Sequence, residues 1–215
     1  MDIVNPKIEE YLRGLLGRDE DEVLREMETL AEERDFPIVG RLVGVTLELL
    51  ARSIGARRVL ELGSGFGYSA YWFARAVGPV GQVEMTDGDA ANQDKAIDYL
   101  GRAGFTDRVH PWVGNALDII ESLPGEFDII FCDIDKGDYP MAWARARERI
   151  RVGGLYLCDN VLWSGRVTEQ TPEDDVRPGW TAAVREHNEA IVADPRYVQT
   201  VIPTRDGVMV ALRVT

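Results

Sequence analysis

Apolar positions along the chain follow two rhythms, and the change from one to the other organises the rest of the reading. In the first 55 residues the spacing is helical. Val23, Leu24, Met27, Leu30 and Ala31 recur at three- and four-residue intervals on one face of residues 18–35. Phe36-Pro37 interrupts that face and predicts the opening of a second helix, carried by Val39, Leu42, Val43, Leu47, Leu49 and Leu50 and stopped at Gly55. From Arg57 onward short apolar runs predict strands over 58–62, 82–87, 108–113, 127–133 and 154–159. Helical patterns over 68–77, 90–103, 116–123 and 139–150 separate them. Strands alternating with helices make βαβ units, hence a parallel sheet covered on both faces. The end differs, with runs over 197–202 and 208–214 joined by Pro203-Thr204-Arg205-Asp206-Gly207. That is a hairpin, which predicts one antiparallel strand at a sheet edge. Residues 164–179, polar and rich in Pro and Gly, predict the one long loop, of the kind that often borders a site.

Length and charge narrow this picture. At about 150 residues per domain, 215 residues suit one domain, 36–215, with an acidic helical arm, 1–35. The arm carries nine acids against three arginines between residues 18 and 35 and reads as an amphipathic helix with a solvated acidic side. A formal charge of −13 would repel a phosphate backbone, so neither nucleic acid nor an anionic membrane is an expected partner. No apolar run approaches bilayer length, and Met1-Asp2-Ile3-Val4-Asn5-Pro6 lacks the features of a signal peptide. Two cysteines make no disulfide framework and two histidines leave little for zinc. The expected location is the cytoplasm.

Candidate chemistry starts at Gly63-Ser64-Gly65-Phe66-Gly67, directly after the first strand. Glycines there allow a sharp turn and close approach of a ligand to free N–H groups at the next helix start. The spacing is neither that of the dinucleotide fingerprint nor that of Walker A. A tight turn with no ligand is the plain alternative. Asp87 ends the second strand, twenty residues after Gly67, where a carboxylate can accept both hydrogen bonds of a ribose diol. Its other possible use is a helix cap, a role for which Asp89 competes.

Two further strands end in Asp133 and in Asp159-Asn160. A parallel sheet delivers both ends to one edge, where three side-chain oxygens could bind a hard cation, Mg²⁺, Mn²⁺ or Ca²⁺. Turn or cap chemistry would use the same residue types. Lys136 follows three residues after Asp133, within reach of that point. Beside a cation its pKa should be depressed and it could act as a base. Otherwise it would face solvent and pair with Asp135 or Asp138. Cys132 and Cys158 should point away from the cluster as buried thiols.

Leu60-Glu61-Leu62-Gly63, Gly67-Tyr68-Ser69, Asp133-Ile134-Asp135-Lys136-Gly137-Asp138-Tyr139 and Asp159-Asn160-Val161-Leu162-Trp163-Ser164-Gly165-Arg166-Val167 together resemble the cation-dependent O-methyltransferases. That family includes the catechol and caffeoyl-CoA O-methyltransferases. The resemblance runs on through Asn188, Asp194-Pro195-Arg196 and Asp206-Gly207, so it covers residue 36 to the end, and the acidic arm matches less well. It implies an α/β, Rossmann-like class I methyltransferase fold: a seven-stranded, mostly parallel sheet, its last strand antiparallel, with helices on both faces. It also implies S-adenosylmethionine as cofactor, a catechol-type phenolic acceptor and a homodimer. Carried over by position, Glu61, Gly63 and Ser64 lie in the loop under the cofactor, and Ser69 meets its carboxylate. Asp87 takes the ribose, Ala116 meets the adenine, Val39 closes over the methionine end, and Asp133 touches the cofactor as well as the ion. Asp133, Asp159 and Asn160 match metal ligands, Lys136 the general base, and Trp163 and Arg166 the border of the acceptor pocket. A nicotinamide oxidoreductase on a similar fold and a non-catalytic adenosyl-binding scaffold are the competing classes.

Overall fold

In the computed structural model, which describes residues 4–16, 21–168 and 177–215, the strands are Arg58–Leu62 (β1), Gln82–Asp87 (β2), Val109–Val113 (β3), Phe127–Cys132 (β4), Ile150–Cys158 (β5), Tyr197–Ile202 (β6) and Val208–Arg213 (β7). They form one sheet in the order β3-β2-β1-β4-β5-β7-β6. The pairs among β1 to β5 are parallel, and β7 runs antiparallel to both β5 and β6. The predicted antiparallel strand therefore exists but not at the edge. β7 enters between β5 and β6, buries Val208, Met209 and Ala211, and leaves β6 as the edge strand.

The helices are Pro6–Leu15 (α1), Glu22–Arg34 (α2), Gly40–Ser53 (α3), Tyr68–Val77 (α4), Ala90–Arg102 (α5), Ala116–Ser122 (α6), Tyr139–Ala146 (α7) and Trp180–Ala193 (α8). Side chains of a strand alternate between faces, so the sheet divides two cores. Val59, Val83, Met85, Ile129, Phe131, Leu155 and Leu157 pack against α2, α3, α4 and α5. Leu60, Leu62, Ile130, Cys132, Tyr156 and Cys158 pack against α6, α7 and α8. The two cysteines are thus buried free thiols on the face opposite to the residues that follow them in the chain.

Several boundaries differ from the sequence reading, two of them by about a turn of helix. The helix expected from Phe36-Pro37 begins at Gly40, whose φ of +72° is left-handed, and Phe36 to Val39 belong to no helix. The helix expected to reach residue 150 ends at Ala146, because Ile150 already pairs with Phe127 and opens β5.

The acidic arm resolves into α1, with no buried residue, and α2, which buries Val23, Leu24, Met27 and Ala31; Leu30 is half-buried. Residues 17–20, within the predicted helical stretch, lie outside the described residues. The acidic face of α2 is not all solvated. Glu28 takes two bonds from the Arg41 guanidinium, at 2.7 and 2.8 Å, and one from the Tyr68 hydroxyl at 2.7 Å. Exposed and half-exposed pairs contribute about 0–1 kcal/mol each, whereas a fully buried Leu or Met contributes about 1.5–3. The apolar face of α2 is what holds it to the sheet layer. Among the described residues no helix is long and apolar enough to cross a membrane.

Candidate active site

The sheet order reverses at β1 and β4, and ligands of open α/β sheets bind outside the carboxyl ends of such strands. A cavity of about 740 Å³ opens there. At its centre the loop after β1 turns on Gly63, whose φ is +85°. A Cβ at Gly63 would stand 2.2 Å from the Asp133 carbonyl oxygen, so the β1 and β4 ends can lie this close only with glycine at that position. Gly65 likewise leaves room for the Phe36 ring, which packs on Phe66 at 5.0 Å.

Around this loop the structure gathers most of the residues singled out in the sequence. Val39, Gly63, Ser64, Ser69, Asp87, Ala116, Asp133, Lys136, Asp159, Asn160 and Trp163 all line the cavity. Asp89 is the residue that caps α5, accepting from Ala91 N–H at 2.8 Å. Asp87 is left at the cavity wall, steadied by the N–H groups of Gly65 at 3.0 Å and Asp89 at 2.8 Å. Ser69 sits in the first turn of α4, where backbone N–H groups have no helical partner. Asn115 spends its side chain capping α6, which leaves Ala116 on the wall.

Glu61 lies beneath the loop instead of on the wall. It is fully buried, and burial pushes its pKa up to about 8, an effect that the neighbouring Ser69 and Ser64 hydroxyls offset only in part.

At the other end of the cavity stand the strand-end oxygens. Asp133 N–H donates to Leu62 C=O at 2.9 Å and Asp159 N–H to Cys132 C=O at 3.1 Å, so the sheet ladder continues just far enough to set the two carboxylates side by side. Asp159 is buried, and its Oδ1 has no partner. Burial, and next the negative charge of Asp133, push its pKa up to about 7. Asn160 adopts φ +57°, a left-handed conformation that few side chains other than Asn tolerate. No group of three or more His, Cys, Asp or Glu that could hold a metal exists among the described residues. The cluster has two carboxylates and one amide.

Lys136 does not face solvent. It is buried, and its Nζ donates to Asp133 Oδ1 and to Ile134 C=O, each at 3.2 Å. Burial pulls its pKa down, but the Asp133 charge and hydrogen bond, together with the nearby Cys158 and Cys132, outweigh this, and Lys136 stands above the ordinary lysine value. Trp163 borders the cavity with its ring 5.8 Å from that of Trp180, while Arg166 stays off the wall with its guanidinium 5.6 Å from the Trp163 ring.

The sequence reading missed Trp180, Arg205 and Asp206 as wall residues. Arg205 donates to Ile38 C=O at 2.8 Å and so ties the β6–β7 turn to the segment before α3. Asp206 Oδ1 accepts from Ser164 N–H at 2.5 Å. At the predicted loop, Trp163–Thr168 forms helical turns broken by a kink where Ser164 and Gly165 are left-handed, at φ +52° and +83°, and residues 169–176 lie outside the described residues.

With this geometry in hand, the comparisons with known proteins are specific. The model of a family described as O-methyltransferase matches residues 16–214. A catechol O-methyltransferase of Niastella koreensis is 34% identical over 177 residues, 80% of each chain. Caffeoyl-CoA O-methyltransferase 1 of Eucalyptus globulus is 30% identical over 91% of this chain and 83% of its own. The crystal structure of an O-methyltransferase of Streptomyces achromogenes involved in tomaymycin synthesis, in complex with S-adenosylmethionine, superposes with a TM-score of 0.87 at 32% identity, over 97% of this chain and 96% of the other.

Proposed function

The chain belongs to the O-methyltransferase family, and on that premise we propose that it transfers the methyl group of S-adenosylmethionine to one hydroxyl of a vicinal diphenol, with a divalent cation at Asp133, Asp159 and Asn160 and Lys136 as the general base. The observation that carries this reading is the meeting, in one cavity, of a glycine loop with a strand-end carboxylate at one end and an oxygen cluster with a buried lysine at the other.

The residues present fit both groups. For the cofactor, Asp87 stands on the cavity wall beside the glycine loop and the first turn of α4, a carboxylate for the ribose and N–H groups for the methionine carboxylate. Asp159 offers an unpartnered buried oxygen beside a second carboxylate and an amide, an all-oxygen donor set that suits Mg²⁺ first, and Mn²⁺ or Ca²⁺ as well. When bound, the cofactor supplies an activated sulfonium methyl and the cation supplies charge that lowers the pKa of a nearby hydroxyl.

The chain's own residues do the rest. Asp87 accepts the ribose hydroxyls, and the free N–H groups at the start of α4, with Ser69, receive the methionine carboxylate. Ala116 bounds the adenine, and Val39 with Phe36 shields the methionine end from water. Trp163 and Trp180 form the apolar wall for the acceptor ring. Lys136 Nζ would take the proton from the hydroxyl that reacts, which requires its ammonium first to release one proton to solvent, and a cation held at Asp133 would favour that release by offsetting the Asp133 charge. Alignment of the acceptor oxygen with the methyl group is the main contribution of such a site.

The function is tested by supplying labelled S-adenosylmethionine with paired acceptors. Vicinal diphenols should be methylated once per molecule, and the matching monophenols and diphenols with separated hydroxyls should not. Equal turnover of monophenols would remove the catechol reading while leaving O-methylation intact. Including CoA thioesters of the same diphenols assigns the acceptor class.

The cofactor end gives a second expected result. Asp87→Ala should weaken S-adenosylmethionine binding by about 1–3 kcal/mol, some five- to 150-fold in Kd, because a ribose diol loses its paired acceptor. The fold should be kept, since the cap of α5 belongs to Asp89. Unchanged calorimetric affinity in that variant would take Asp87 out of the cofactor site.

A further inference from the structure

Asn160 stands in a left-handed conformation between two residues, Asp159 and Val161, whose carbonyls are both held by side chains from elsewhere in the fold. The Asp159 carbonyl accepts the Tyr139 hydroxyl at 2.8 Å, in a fully buried contact. The Val161 carbonyl accepts Asn188 Nδ2 at 2.9 Å. We propose that Tyr139 and Asn188 are positioning residues, a clamp that fixes the Asp159-Asn160 turn so that its side-chain oxygens converge on the cation; this rests on the proposed cation site.

The hydrogen bonds leave the clamp one arrangement. A carbonyl can only accept, so Asn188 must present its NH₂ to Val161 and its Oδ1 to the other side. There Oδ1 meets His187 Nδ1 at 3.1 Å, which must then carry the proton. His187 Nε2 is left as an acceptor, and it meets the Tyr156 hydroxyl at 3.0 Å, which must donate. The result is a directed chain from Tyr156 in β5 through α8 to the turn after β5. His187 is fully buried between the rings of Tyr139 and Tyr156, at 5.1 and 5.7 Å, a setting that keeps it neutral as this chain requires. Burial lowers its pKa to about 4, in accord with that.

Tyr139 serves the site from the opposite side. Its ring lies 4.9 Å from the Lys136 ammonium while its hydroxyl holds the Asp159 carbonyl. Phenylalanine at this position keeps the ring and removes one oxygen, so it separates the clamp from packing. Partners that orient metal ligands from behind are worth about 10–100-fold in metal affinity.

The test is calorimetric titration of Mn²⁺ into the full chain saturated with S-adenosylhomocysteine, alongside titration of S-adenosylhomocysteine itself. Tyr139→Phe and Asn188→Leu should each weaken Mn²⁺ binding about tenfold or more while the S-adenosylhomocysteine Kd stays within about twofold of wild type. A merely structural role would lower both affinities together or only the melting temperature, and either outcome overturns the clamp. So does wild-type Mn²⁺ affinity in Tyr139→Phe, which decides the matter even if Asn188→Leu does not fold. If the wild-type chain takes up no Mn²⁺, the cation site itself falls and the clamp with it.

Discussion

Lys136→Ala is expected to lower kcat by about 10²–10⁴ while leaving the KM for S-adenosylmethionine nearly unchanged. The lysine lies at the acceptor end of the cavity, hydrogen-bonded to Asp133 and remote in the chain from the loop and carboxylate that would hold the cofactor. Removing it should therefore cost proton transfer and spare cofactor binding. Turnover should remain measurable, because a cation beside the reacting hydroxyl lowers its pKa without help from the protein base. The deficit should shrink as pH rises, since hydroxide then takes the proton in place of the lysine. Lys136→Arg distinguishes a base from a fixed charge. Arginine keeps the positive charge but does not give up its proton in proteins, so it should be nearly as impaired as alanine. Steady-state kinetics across pH for the three proteins check this. Substantial rescue by arginine would make the residue an electrostatic clamp on the developing oxyanion and assign the proton to solvent.

What the sequence made legible, and what it did not, follows from how local each cause is. β1 and β2 were readable to the residue because a buried parallel strand is a short apolar run with turn chemistry on both sides. The start of β5 was hidden. Ile150-Arg151-Val152 continues the amphipathic rhythm of α7, and only pairing of Ile150 with Phe127 makes it a strand. The hairpin of β6 and β7 was local and readable, but its placement was not. Nothing near Val208 in the chain says that β7 pairs with β5, leaving β6 outside.

The candidate site divides in the same way. Asp87, Asp133, Asp159 and Asn160 announce themselves because each ends or follows an apolar strand, and parallel strands bring their ends to one edge. Lys136 was found through its distance from Asp133 in sequence, although its burial could not be foreseen. Trp180 and Asn188 reach the site from α8, and Arg205 from the β6–β7 turn, so their places depend on packing between elements far apart in the chain. Glu61 was tied to the cofactor only by resemblance. Its complete burial beneath the loop, off the cavity wall, is visible only in three dimensions.

The remaining large effect concerns the ion. Asp159 contributes a buried oxygen that no group of the chain satisfies, next to the carboxylate of Asp133, and Lys136, bonded to Asp133, offsets the repulsion between the two carboxylates only in part. Asp159→Ala should therefore raise the ion concentration needed for half-maximal rate by at least about tenfold, and Asn160→Ala should do so to a lesser degree, because an amide carries no charge to the ion. The measurement that bears most directly on the proposed chemistry needs no variant. Methyl transfer from labelled S-adenosylmethionine to a vicinal diphenol should be lost when the wild-type protein is assayed in EDTA and restored by excess Mg²⁺ or Mn²⁺. Full transfer in EDTA would contradict it, leaving Asp133, Asp159 and Asn160 as turn-forming residues in a methyltransferase that works without a metal.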